Sequence, residues 1–452
     1  MPLENGTNCQ KAIYEDLESA FVKLGLGYYP DKVIYSILGA AGVGKSWLTS
    51  QIVKMAVDLR LRCFLSTPTH KAVRVLKEMI KDAGLGHSYR VDQGTIHSFL
   101  NLKVEHVYED ETNLNPEKPK LIKNVNVPPE GLKTCDILFV DEASMVDKNL
   151  FDMIMSEINE RYKMVIFIGD YFQLPPVGGE LSPIFYEGEH NKVYQLLETV
   201  RQKADSYIIN RAGWLKHFIS TQQFPANILD LFETCGEVTV YNGSIPEEHQ
   251  MFVNQYFGDK DHTKIIGTYT NKLVDDYNLA IRNFELNYPT ELVVEGERLV
   301  VQAPYEGSDG NILFTTNEEI EVSSVDIKEA TYKYYRISTP DGDRANILHS
   351  DSVEQYKADL ESFLQLAKAM NNNPDKKARS RAWSKYFELQ SKFLQVKSAY
   401  ASTIHKLQGS TYENTYLDLR TVPQFYKRNP DLMCRLLYVG ITRPSKNLYI
   451  LK

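Results

Sequence analysis

The stretch Gly39-Ala40-Ala41-Gly42-Val43-Gly44-Lys45-Ser46 follows an apolar run at residues 33–38 and opens a helix-like segment at residues 47–59. Strand, glycine-rich turn and helix start, in that order, are the context a phosphate-binding P-loop requires. Glycines at 39, 42 and 44 let the backbone turn tightly with its N–H groups inward, where they and the helix N-terminus can hold phosphate oxygens. Lys45 then reaches the β- and γ-phosphates, and Ser46 offers its hydroxyl to Mg²⁺. A glycine-rich βα turn with a surface lysine is the competing reading, and both flanks speak against it.

Outward from this loop, strand and helix alternate: residues 63–66 then 71–81, 136–140 then 148–158, and 164–168 followed by a loop. Such alternation predicts a parallel sheet with crossover helices, hence an α/β fold. An amphipathic helix is expected before the loop, ending near Gly25-Leu26-Gly27. The rhythm breaks at residues 102–134, a polar insert rich in Pro and Lys, whose runs at 104–108 and 121–127 can pair as a hairpin. It breaks again at 292–396. The first part of that segment reads as a small antiparallel barrel and the second as two helices joined at Asn371-Asn372-Asn373-Pro374. The second helix carries Lys376, Lys377, Arg379, Arg381, Lys385 and Lys392, a charge run whose commoner role is a solvated face. Around this segment the α/β pattern returns at 264–268, 273–284, 414–417, 432–439 and 448–451, so one domain is inserted within another.

A chain of 452 residues with 43% hydrophobic and 24% charged residues can bury two to four ordinary cores. It holds no apolar window of membrane-spanning length, and its first residues lack a secretory pattern, so a soluble cytoplasmic protein is expected. Cys9, Cys63, Cys135, Cys235 and Cys434 include no C-x-x-C pair, which argues against zinc or a disulfide framework and fits a reducing cytosol. The net charge of −8 means that any nucleic-acid site must come from local grooves.

The strand Ile137-Leu138-Phe139-Val140 places Asp141 and Glu142 at its C-terminal end, where ligands sit in open α/β sheets. Asp141 is the natural second Mg²⁺ partner, and Glu142 can orient the attacking water or accept its proton. The next strand leads to Gln173, placed to sense a γ-phosphate. Gln10 could read an adenine edge. Two strand-to-helix turns, with Pro68, Thr69 and His70 and with Thr95 and His97, carry the hydroxyl groups and backbone N–H groups that bind phosphates without sequence preference. Hydroxyl N-caps look the same in sequence, and on these segments alone the capping role is the stronger reading.

The order of motifs resembles that of the superfamily-one helicases of the Dda and RecD type, nearest to Dda-like phage helicases. Gln10 matches the Q-motif, residues 39–46 motif I, 66–73 motif Ia, 94–100 motif Ib, Phe139-Val140-Asp141-Glu142 motif II and Gly169-Asp170-Tyr171-Phe172-Gln173 motif III. Arg201 sits in a motif IV-like segment, Thr270 and Asn271 in the segment after it, Thr403, His405, Gln408 and Gly409 in motif V, and Arg443 in motif VI. The resemblance implies an ATP-dependent DNA helicase using ATP and Mg²⁺, with two RecA-like P-loop NTPase domains. The first is 1–101 with 135–200, and the second is 201–291 with 397–452. A pin hairpin lies at 102–134, with Tyr108 as its stacking aromatic, and an SH3-like β-barrel domain with a helical extension at 292–396. Arg201 and Arg443 are then arginine fingers, and Gln408 and Gly409 bridge nucleotide and strand. Pro68, Thr69, His70, Thr95, His97, Thr270, Asn271, Thr403 and His405 track single-stranded or fork DNA in the 5′-to-3′ sense. The implied protein is monomeric, with single-strand-binding or replisome proteins as further candidate partners and no membrane. Two other readings remain open on the residues themselves: an RNA-directed translocase, since nothing here reads a 2′-OH, and a P-loop switch that remodels protein partners.

Overall fold

A computed structural model describes residues 3, 5–28, 33–100, 102–105, 120–123, 135–160, 163–176, 180–186, 191–198, 206–260, 263–307, 312–314, 316–371 and 375–452. The chain divides into two compact units, Met1–Thr263 with Leu407–Lys452, and Lys264–Lys406.

The first unit begins with α1 (Asn8–Gly25). Thr7 and Gln10 close a reciprocal capping box, in which the Gln10 N–H donates to Thr7 Oγ1 and the Thr7 N–H donates to Gln10 Oε1. Next come β1 (Ile34–Gly39), α2 (Lys45–Asp58), β2 (Cys63–Thr67), α3 (His70–Asp82), β3 (Val91–Thr95) and the single turn α4 (Ile96–Phe99). The backbone of β4 (Leu102–Glu105) pairs antiparallel with β5 (Lys120–Lys123), with Leu102 opposite Lys123. Tyr108, in the chain between them, lies outside the described residues. Then follow β6 (Ile137–Val140), α5 (Lys148–Glu160), β7 (Met164–Gly169) and β8 (Asn191–Leu196). Six of these strands make a parallel sheet in the order β3-β2-β6-β7-β1-β8.

The central strands are buried and mainly apolar, with Ser36 of β1 and Ser66 and Thr67 of β2 as buried polar residues among them, because helices cover both faces of the sheet. On one face Ile37, Phe139 and Ile166 pack with Leu17 of α1 and Leu48 and Ile52 of α2. On the other, Leu138, Val165 and Phe167 pack with Phe99 of α4 and Ile154 and Ile158 of α5. The unit continues with α6 (Tyr207–Thr221), β9 (Val238–Tyr241) and α7 (Pro246–Gly258).

In the second unit, β10 (Lys264–Thr268) leads to α8 (Asn271–Glu285). Seven short strands follow: β11 (Arg298–Val301), β12 (Tyr305–Glu306), β13 (Ile312–Phe314), β14 (Glu319–Glu321), β15 (Ser324–Glu329), β16 (Lys333–Ser338) and β17 (Arg344–Leu348). The helices α9 (Val353–Ala369) and α10 (Lys376–Gln390) precede β18 (Val396–Ser398) and β19 (Ala401–Thr403). The small sheets β14-β11-β18, β12-β13 and β15-β16-β17 are all antiparallel. Leu299, Val301, Phe314, Tyr335, Ile337 and Ile347 form their shared core. β10 and β19 run parallel. Buried Asn278 of α8 is tied to β19, accepting the N–H groups of Tyr400 and Ala401 and donating to the Ala401 carbonyl.

The chain re-enters the first unit with β20 (Tyr412–Asp418), α11 (Val422–Tyr426), α12 (Pro430–Ile441) and β21 (Pro444–Leu451), where β20, β21 and β9 pair in parallel. Among the described residues no helix is long and apolar enough to cross a membrane.

Candidate nucleotide and nucleic-acid site

The loop from Gly39 to Ser46 turns between β1 and α2. Gly42 and Gly44 sit at φ 82° and 80°, in the left-handed region where a side chain would be strained. Gly39 is fixed by space instead, since a Cβ there would stand 2.6 Å from Val43 Cγ2. Lys45 Nζ is turned back onto its own loop and donates to the carbonyls of Gly39 at 2.6 Å and Ala40 at 3.0 Å. Gln10 braces the loop from α1. Its Nε2 donates to the Val43 carbonyl at 3.2 Å, while its Oε1 belongs to the capping box. The Gln10 amide therefore positions the loop, whatever it offers a base.

Asp141 and Glu142 follow β6, one strand away from β1 in the chain's pairing through β7. Glu142 takes a left-handed backbone, φ 50°, and its N–H donates to Asp141 Oδ1 at 2.8 Å. A non-glycine residue in that region stores strain of a kind that gathers at functional sites. Burial, followed by the Asp141 charge, pushes the Glu142 carboxyl up to about 7, while Arg443 and Lys45 draw it down. Burial raises Asp141 as well, against its bond from the Glu142 N–H and the nearby Lys45 charge. A carboxyl poised near neutrality beside a fixed cation suits proton transfer.

Gly409, at φ 77°, lies over this pair, and a Cβ there would be 3.8 Å from Glu142 Oε1. Gln408 donates to Ser144 Oγ at 3.3 Å, so the motif V loop touches the segment after Glu142. Arg443 is buried. Its guanidinium donates to the carbonyls of Val439 at 2.8 Å and Ser410 at 3.1 Å and to Thr442 Oγ1 at 2.9 Å. Burial lowers its pKa and the Glu142 charge is the largest influence raising it, which marks the two as electrostatic neighbours. Gln173 is 4% exposed, and its Oε1 finds no hydrogen-bond partner. Such a buried acceptor is costly unless something donates to it, and an attacking water could. Arg201 lies outside the described residues.

Sequence reading missed the side chains that hold these pieces together. Arg435 of α12 donates through Nη1 to the carbonyls of Tyr171 and, at 3.3 Å, Gln173, and through Nε to Asp431 at 2.8 Å. Tyr438, one turn on, takes the Ala41 N–H on its hydroxyl at 3.0 Å and donates to Asp170 Oδ2 at 2.8 Å. The one available signal is the position of Asp170, at the end of β7 as Asp141 is at the end of β6. A cavity of ≈ 240 Å³ adjoins the loop, walled by Ala40, Ala41, Gly42, Ile208, Ala212, Lys216, Tyr438 and Thr442.

The structure gives three of the four candidate phosphate-contact threonines a capping role. Thr69 accepts the Ala72 N–H, Thr95 the Ser98 N–H and Thr270 the Leu273 N–H, so each opens a helix. Each unit also carries the same small device. Thr67 Oγ1 donates to the Thr69 carbonyl at 2.9 Å, and Thr268 Oγ1 to the Thr270 carbonyl at 3.0 Å, on either side of Pro68 and Tyr269. Asn271 begins α8 on the surface, and His70 begins α3. Burial lowers the pKa of His97 and of His405, favouring the neutral imidazole in both. His405 tilts against Tyr269 at 5.7 Å, and Thr403 is buried at the end of β19.

Loop, paired carboxylates, buried glutamine and buried arginine on parallel sheets define the molecule as a P-loop NTPase. The AAA domain family matches residues 28–179, and the UvrD-like helicase C-terminal domain family matches residues 398–451. The ATP-dependent DNA helicase dda of Enterobacteria phage T4 is 28% identical over 457 residues, spanning 92% of this chain and 93% of that protein. The RecBCD enzyme subunit RecD of Buchnera aphidicola subsp. Acyrthosiphon pisum is 24% identical over 495 residues, spanning 99% of this chain and 75% of that protein. A crystal structure of Bacteroides Pif1 bound to ssDNA superposes with a TM-score of 0.53 at 14% identity, covering 98% of this chain and 91% of that one. That likeness gives the fold, α/β with two RecA-like domains. These matches make the chain similar to the superfamily-one helicases of the Dda and RecD type.

Proposed function

We propose that the chain is an ATP-dependent DNA helicase, coupling ATP hydrolysis in the first unit to movement along single-stranded DNA. The observation that carries the reading is the neighbourhood of Glu142: Lys45 and Arg443 both act on its charge, and Gly409 stands against its carboxylate. ATP is held by the N–H groups of residues 39–46 and by Lys45, which must leave the Gly39 and Ala40 carbonyls to reach the phosphates. Among the described residues no group of three or more His, Cys, Asp or Glu could hold a metal. A Mg²⁺ site of this kind needs only one or two protein ligands beside phosphate, and the Ser46 hydroxyl with the Asp141 carboxylate fits it. Bound there, Mg²⁺ would neutralise charge on the phosphate oxygens. Glu142 takes the proton of the attacking water, Gln173 orients that water, and Arg443 meets charge developing on the γ-phosphate, with Arg201 as the second finger. Fingers of this kind are worth roughly 10³–10⁵ in rate.

The DNA strand runs over the helix starts at Thr69, Thr95 and Thr270, with Pro68, His70, His97, Asn271, Thr403 and His405 beside it. The hydroxyl and amide groups among them, with the backbone N–H groups of the helix starts, can hold phosphates irrespective of base. The finer layout follows the family resemblance: RecA-like domains at 1–101 with 135–200 and at 201–291 with 397–452, a strand-separating pin at 102–134 tipped by Tyr108, an SH3-like domain at 292–396, and 5′-to-3′ polarity. The antiparallel pairing of β4 with β5 and the small antiparallel sheets of the second unit support the two inserts. A monomer acting on forks, with single-strand-binding or replisome proteins as partners, completes the proposal. ATP hydrolysis measured without nucleic acid, with single-stranded DNA and with RNA tests it. Strong stimulation by DNA is expected, and turnover indifferent to either polymer would end the helicase reading.

A further inference from the structure

The Tyr438 hydroxyl has one proton and sits between a donor that can only donate and a carboxylate. Because the Ala41 N–H must donate to it, its own proton goes to Asp170 Oδ2. Asp170 is itself fixed, since its Oδ1 accepts the Phe172 N–H at 3.0 Å. A hydroxyl oxygen whose proton is shared with a carboxylate carries extra negative charge and becomes a better acceptor. It thus presents to the loop what a phosphate oxygen would. Tyr438 also walls the cavity beside Ala41 and Gly42.

We propose that Tyr438 is a positioning residue that occupies a P-loop amide in place of a phosphate oxygen and is displaced from it when ATP binds. This rests on the P-loop being an ATP site, as proposed above. Two phosphate-binding elements are then closed off by the protein itself: the Ala41 N–H by Tyr438, and Lys45 by its own loop carbonyls. When a phosphate takes the Ala41 N–H, the Tyr438–Asp170 pair loses its hold on the loop. Asp170 opens the segment that bears Gln173, and Tyr438 lies on α12, which ends just before Arg443. Phosphate arrival is therefore felt at once by the glutamine that orients water and by the arginine that stabilises charge. Tyr438 acts through these groups and touches no reacting atom.

Tyr438→Phe keeps the ring, which packs at 6.1 Å from Phe172, and removes only the hydroxyl. Binding of a fluorescent ATP analogue, without DNA, is titrated against wild type, Tyr438→Phe and Lys45→Ala, with the melting temperature of each protein confirming that it is folded. With no competing hydroxyl on Ala41, Tyr438→Phe should bind the analogue about 2- to 10-fold more tightly, the factor for one hydrogen bond of net ~0.5–1.5 kcal/mol. DNA-stimulated kcat should fall at the same time, because the link to Gln173 and Arg443 is cut. A melting temperature lowered with unchanged or weaker binding would make Tyr438 a purely structural contact and overturn the proposal. Wild type that fails to bind the analogue at all, or binds as well with Lys45→Ala, would instead refute the P-loop reading, so the two failures are separable.

Discussion

At the scale of single residues, the site combines groups that are legible in sequence with groups that are not. Lys45 and the Asp141–Glu142 pair stand in short contiguous patterns whose spacing states their chemistry. Tyr438 and Asp170 are 268 residues apart and meet only because α12 and the end of β7 come together, which no local pattern encodes. Lys45→Ala should abolish hydrolysis, read in a steady-state phosphate-release assay. Glu142→Gln should keep ATP binding within a few-fold while lowering kcat by about 10²–10⁴, the usual contribution of a positioned base. The raised Glu142 carboxyl also fixes a pH dependence. The base is active only when ionised, so kcat/KM for the free protein should climb with an acid limb near pH 7. Its folded pKa lies above the unfolded value, so the nucleotide-free fold holds its proton longer than the unfolded chain. Melting temperature should thus decline as pH rises from about 4.5 through about 7, a trend that Glu142→Gln should flatten.

At the scale of elements, the central strands announce themselves and the edges do not. β6 is an unbroken apolar run and β1 one broken only by buried Ser36, because both of their faces are covered, and β10 occupies the residues 264–268 that the pattern predicts. β3 and β8 close the two edges of the six-stranded sheet, with the polar sequences Val91-Asp92-Gln93-Gly94-Thr95 and Asn191-Lys192-Val193-Tyr194-Gln195-Leu196. Edge strands have one neighbour and partial cover, so periodicity leaves no trace there. β8 is instead held by side chains: Lys192 donates to Asp16 of α1 at 2.7 Å, and the Tyr194 hydroxyl donates to the same carboxylate. The helix that braces the P-loop through Gln10 is thereby also tied at its middle, through Asp16, to the sheet edge. Thr7→Ala removes one side of the capping box and should lower stability by ~0.5–2 kcal/mol in urea unfolding. If Gln10 positions the loop, ATP affinity should fall with it, and an unchanged affinity would detach α1 from nucleotide binding.

At the scale of the whole molecule, the chain carries net charge −8, and the strand path proposed for it is lined by helix starts, hydroxyls and two imidazoles whose pKa burial lowers. Few counterions are released by such contacts, so the salt dependence of single-strand affinity should be shallow beside that of a lysine-rich groove. Because burial holds His97 and His405 below the usual imidazole range, affinity should be flat between pH 7 and 8 and should strengthen only in more acid solution. A steep rise across pH 7 would show at least one of them charged. Forks bearing only a 5′ or only a 3′ tail decide polarity, and unwinding of the 5′-tailed fork alone is the expected result. The twin Thr-x-Thr turns, Thr67 to Thr69 and Thr268 to Thr270, bear on this at a different level. On the proposed reading each turn, taken by itself, meets a polymer whose backbone repeats at every nucleotide, so it would accept the strand only in registers that match that repeat. A strand taken up in this way would advance by whole nucleotides, with the periodicity of the DNA itself as the ruler.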